Sequence, residues 1–131
     1  MSGLITLFLS FSLLAMTCQP ALPATSNAAK DQLHIFATCT GRLSAQMEYQ
    51  WMFDGEGSEG TETARDALVE ILDAIMRPDQ RPDVMAWRVE AKMAQSALLA
   101  RAVFNLDRRD AQMAQRIARR RVEECRGLLL G

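Results

Sequence analysis

Few residues in this sequence are equipped for chemistry, and three of them are cysteines: Cys18, Cys39 and Cys125. They form no C-x-x-C pair, no haem-attachment C-x-x-C-H and no zinc-ligand cluster, so the chemistry on offer is a disulfide. Cys18 stands at the end of an apolar leader, which leaves Cys39 and Cys125 as an even pair in the folded part. In an oxidising compartment such a pair reads as one bridge. Two buried, unpaired thiols are the other reading. His34 is the single histidine and falls at the ragged start of the first expected helix, a surface position rather than a ligand or base. The methionines at 47, 76, 85, 93 and 113 follow helical spacing, which favours core packing over a copper site. There is no Ser/His/Asp order, no HExxH and no glycine-rich phosphate loop opening a helix after a strand. The DGEGSEG stretch at 54–60 lacks the length and ligand spacing of a calcium-binding EF-hand loop. The residues therefore point to a non-catalytic protein without a cofactor or a metal.

The charges say where the protein works. The first 29 residues hold no Asp, Glu, Lys or Arg, and all 15 basic and 16 acidic residues follow them. Residues 4–16 form an apolar run of thirteen, too short for the roughly 20 residues of a membrane-spanning helix and matched to the apolar core of a signal peptide. A cleavage site is offered by Leu22, Pro23 and Ala24, although the start Met-Ser-Gly lacks the usual basic residue. The expectation is a signal peptide over 1–24, a flexible Ala/Ser-rich linker over 25–32 and a folded domain over 33–131, periplasmic or secreted. The alternative is lipid anchoring at Cys18, ahead of the tether QPALPATSNAA. The residues before Cys18 fit a lipoprotein box poorly, so contact with a membrane is expected only through that route. A formal net charge of −1 gives no general attraction to nucleic acid.

The elements that position these residues are helices. The first is expected over 33–53, with Phe36, Cys39, Leu43, Met47 and Trp51 as its apolar row and Gly41 as a cost within it. Residues 54–60, with three glycines and three acids, read as a loop. The second helix is expected from a cap at Thr61 or Thr63 to about residue 76, with Ala64, Leu68, Ile71, Leu72 and Ile75 on one stripe. Pro78 and Pro82 bracket a turn. The third helix is capped by Asp83 and runs to about 105, and the fourth runs from after Asp107 to about 129. Strand signals are absent. The fold class is thus all-α, an up-down-up-down four-helix bundle. In that topology Cys39 and Cys125 lie at the same end on neighbouring helices, both facing inward. The expected disulfide joins the first and last helices.

Function is sought in the third helix. One of its faces holds Val84, Trp87, Ala91, Ala94, Leu98 and Ala102; a second, nearly opposite, holds Met85, Val89, Leu99 and Val103. Either this helix is the most enclosed of the bundle, or its second face makes a homodimer or partner contact. The fourth helix carries a dense basic run including Arg116, Arg119 and Arg120, either a docking site for an anionic partner or a solvated face. Arg121 falls on the inner side of that helix and needs a carboxylate, for which Glu90 is the candidate in a buried ion pair; a ligand-binding guanidinium is the other reading.

The segments CTGRLSAQMEYQW and WRVEAKMAQSALLARAVFN, with the late cysteine of EECRGLLLG, resemble a family of small bacterial exported proteins and cover most of the mature chain. The resemblance implies export and brings no activity, substrate or active site with it. The expected function is a periplasmic helical protein acting through protein–protein interaction or in a structural role. The alternative is a bundle that binds a small ligand or a metal between its helices.

Overall fold

A computed structural model describes residues 24–130. The apolar leader and Cys18 lie outside the described residues. Four helices pack together: α1 (Ala24–Phe53), α2 (Gly55–Ile75), α3 (Arg81–Phe104) and α4 (Arg108–Gly127), with a short 3-10 turn at Pro78–Gln80. The chain is all-α, and no strand occurs among the described residues.

The sequence contains no proline between residues 24 and 77, and α1 runs for 30 residues. Its first turns take up residues 25–32, expected as a flexible linker. Ala28, Ala29, Lys30 and Gln32 favour the helix there, and residues 27–32 are exposed ahead of Leu33, the first buried residue described. The expected loop at 54–60 is also helical. Asp54 alone reverses the chain: its N–H donates to the Gln50 carbonyl, and its carboxylate accepts from the Gly57 N–H at 3.2 Å. One capped residue, with Glu56 in the first turn, starts α2 at a point where glycine content alone signals a break. Thr61 and Thr63, expected as caps, lie inside α2 and donate their hydroxyls to the Gly57 and Glu59 carbonyls. α3 begins at Arg81, which puts Asp83 in its first turn rather than at the cap.

α1, not α3, is the most enclosed helix. α2, α3 and α4 all pack against it, whereas α2 and α3 meet only near their connection, around Leu72 and Val84. α1 and α3 run in the same direction and lie close together. The His34 ring meets Trp87 edge-on at 4.9 Å, Gly41 abuts the backbone of Arg88 and Lys92, and Tyr49 shares a groove with Val103. Ala37, Gly41 and Ala45, four residues apart and all buried, make that approach possible. An added Cβ on Gly41 would stand 2.2 Å from the Arg88 carbonyl oxygen.

α4 is held on α3 by fully buried Gln95, whose Nε2 donates to the Ala118 carbonyl at 3.1 Å. It is tied to α1 by the disulfide Cys39–Cys125, with 5.2 Å between the Cα atoms. Around the bridge Leu43, Leu68 and Val122 form one core cluster. Arg126 then reaches α2, donating to Thr61 Oγ1 at 2.8 Å. Trp51, expected on the buried row of α1, is instead 57% exposed.

Candidate functional site

Because α2 and α3 separate beyond their connection, a cleft opens between them with α1 as its floor. Its upper part, of about 240 Å³, is floored by Ser44, Met47 and Glu48 and walled by Met85 and Val89. Toward the connection it widens into a second space of about 570 Å³ beside Met76, Val84 and Arg81. Met85, Val89 and Met93 follow one another at four-residue intervals on α3, and all three are exposed.

Cations border this apolar strip. Arg65 comes from α2, and Arg81, Arg88 and Lys92 come from α3. Lys92 is joined to Glu48 at 2.6 Å. Arg65 holds Asp66 at 2.6 Å and Glu62 at 3.8 Å, which leaves its buried Nε without an acceptor. Arg81 and Arg88 have no ion pair among the described residues. An apolar wall of Met85 and Val89, bordered by four cations against the two carboxylates of Glu48 and Asp73, can hold an amphipathic segment that carries carboxylates.

Of the face expected on α3, Met85 and Val89 thus lie together on the cleft. Val103 is exposed too, yet it lies at the opposite end of α3, beyond the buried Leu99. Val103 borders a different groove, of about 300 Å³, formed by α1, α3 and α4 with Tyr49, Gln50 and Arg126 around it. Gln50 Oε1 is buried there without a donor.

The arginines of α4 do not converge on either α3 surface as a group. Arg116 is exposed, Arg119 borders the α1–α3–α4 groove, and Arg120 reaches Glu124 at 3.7 Å. The expected pair of Arg121 with Glu90 is not formed. Ala91, Gln95 and Leu99 are the inward positions of α3, and that rotation leaves Glu90 exposed. Half-buried Arg121 instead lies near Arg42. Burial and the Arg121 charge hold the Arg42 guanidinium below its usual range, and Glu124, 3.8 Å away, opposes them.

The cleft was not readable from hydrophobicity alone. Its signal was the four-residue repeat of small side chains on α1, which draws α3 onto α1 and away from α2. His34 is engaged with Trp87, and among the described residues no three His, Cys, Asp or Glu side chains are grouped to hold a metal ion. No described helix is long and apolar enough to cross a membrane, and the disulfide fits an oxidising compartment. The chain matches no family model, no curated protein and no solved structure.

Proposed function

We propose that this is a non-catalytic protein of the periplasm or the extracellular space that acts by binding a protein partner in the α2–α3 cleft. One observation carries the reading: Met85 and Val89 are uncovered beside a channel whose rim holds Arg81 and Arg88 without ion pairs. Apolar anchors at helical spacing and excess positive charge suit a helix that presents apolar residues on one face and carboxylates beside them. The apolar leader and the disulfide support export.

Affinity purification from gently lysed cells tests the reading. A partner retained by the wild-type chain should be lost from Met85→Glu and from Arg88→Glu, and weakened by raised salt. Equal retention by all three chains would overturn it.

A second reading, a small-ligand-binding bundle, is favoured by the α1–α3–α4 groove, where buried Gln50 Oε1 lacks a donor. Native mass spectrometry separates the two. A bound small molecule lost with Gln50→Leu and retained in Met85→Glu would favour the groove.

A further inference from the structure

The end of the bundle where α1 and α3 finish carries a second concentration of uncovered apolar residues. Trp51, Met52 and Phe53 close α1, and Val103, Phe104 and Leu106 close α3 and enter the next turn. Leu106 is 99% exposed and Phe104 73%. The two sets are continuous. Phe53 stacks on Tyr49 with ring centroids 4.8 Å apart, and Tyr49 shares the groove with Val103.

This end is also well ordered by its own hydrogen bonds. Asp107 accepts from the N–H groups of Arg109 and Asp110 at 2.8 and 3.3 Å, Asn105 accepts from the Asp107 N–H at 3.0 Å, and Arg101 holds Asp110 at 2.8 Å. Leu106 is therefore held out in solvent on a braced turn, which reduces the ordering cost of using it as a contact.

The charges left unengaged on the two turns at this end are opposite. On the α1–α2 turn Asp54 caps α2, which leaves Glu56 and Glu59; on the α3–α4 turn Asp107 caps α4 and Asp110 holds Arg101, which leaves Arg108 and Arg109. Glu56, Glu59, Arg108 and Arg109 form no ion pair among the described residues. An apolar centre with an acidic side and a basic side is complementary to itself. A two-fold rotation places the acidic turn of one copy against the basic turn of the other, twice over.

We infer that this end of the bundle binds a second copy of the same chain in a two-fold dimer. Leu106 and Phe104 pack at its centre, and Glu56 and Glu59 face the partner's Arg108 and Arg109. With Asp54, Glu56 and Glu59 set against Arg108 and Arg109, this end lacks the net positive charge that an anionic membrane surface selects. The surface is separate from the α2–α3 cleft and does not depend on the function proposed for it.

Sedimentation velocity on the protein recovered from cells expressing the full chain tests this. A concentration-dependent dimer is expected, with a dissociation constant between about micromolar and millimolar for so small a contact. Leu106→Glu should weaken it at least about tenfold. Glu56→Arg with Glu59→Arg, and Arg108→Glu with Arg109→Glu, should each weaken self-association about tenfold, while an equimolar mixture of the two variants dimerises again. Helix content by circular dichroism shows that each variant remains folded, and Leu106→Glu, in an exposed turn, leaves the helices untouched. A monomer at about 1 mM would overturn the proposal. So would a dimer insensitive to Leu106→Glu, a mixture that fails to dimerise, or a monomer that floats with neutral phosphatidylcholine vesicles through Leu106.

Discussion

Gly41 of α1 and Arg88 of α3 meet backbone to backbone: a Cβ at residue 41 would lie 2.2 Å from the Arg88 carbonyl oxygen and 3.0 Å from the Lys92 nitrogen. Neither atom can rotate away as a side-chain end would. The contact fixes α3 on α1, and with it the cleft left between α3 and α2.

Gly41→Ala should therefore destabilise the protein by about 1–3 kcal/mol, although alanine favours a helix by about 1 kcal/mol. Gly60→Ala, in α2 with nothing within 4 Å of the added carbon, should stabilise it by about 0.5–1 kcal/mol. Urea unfolding of both variants checks the pair of signs. Stabilisation by both would mean that α1 and α3 do not approach this closely.

The Cys39–Cys125 bridge spans 86 residues of sequence. Removing it as Cys39→Ala with Cys125→Ala should lower stability by about 4–5 kcal/mol, if the bridge acts by restricting the unfolded chain. That is close to the whole stability of many small domains. Thermal unfolding followed by circular dichroism measures it, and an unchanged transition would contradict the expectation.

Gln95 is fully buried, with one hydrogen bond to Ala118 and its Oε1 unpartnered. Gln95→Leu should change stability by no more than about 1 kcal/mol, because the lost bond is offset by relief of the orphaned oxygen. Gln95→Glu should behave differently. Burial raises the folded-state pKa of the new carboxyl, so its neutral form supports the fold at acid pH, and stability falls as pH rises through that raised value. Urea midpoints between pH 4 and pH 8 report the slope. A flat profile would show that residue 95 reaches water.

Arg42 and Arg121 are like charges in a partly buried setting, and Glu124 offsets them. Arg121→Gln should leave stability unchanged or raise it by about 0.5 kcal/mol, while Glu124→Gln lowers it by about 0.5–1 kcal/mol. Both effects should shrink in salt. Destabilisation by Arg121→Gln would point to a carboxylate partner for Arg121.

The helix count, the chain reversals and the disulfide were legible in the sequence, because apolar spacing and cysteine placement constrain them directly. Helix order around the core was not. A scale of hydrophobicity treats Gly41 as a defect, whereas here it is the site of closest approach, and Ala37 and Ala45 gain meaning only beside it. Residues 54–60 misled because glycine content is local, while one aspartate cap and the burial of Ser58 and Thr61 decide for helix. Met85 and Val89 were legible as a surface, since a helix apolar on two sides shows more than one face to its surroundings. Val103 was grouped with them because spacing cannot reveal that Leu99 between is buried. Arg121 and Glu90 were paired by height along the bundle, and rotation of α3 separates them.

Site-specific photo-crosslinking in intact cells tests the proposed function most directly. With a photoreactive residue at position 85, beside the cleft, one discrete adduct is expected, and it disappears when Arg81→Glu and Arg88→Glu are added. The same residue at position 112, exposed on α4, should give none. Equal adducts from both positions, or an adduct at position 85 indifferent to the charge reversals, would contradict it.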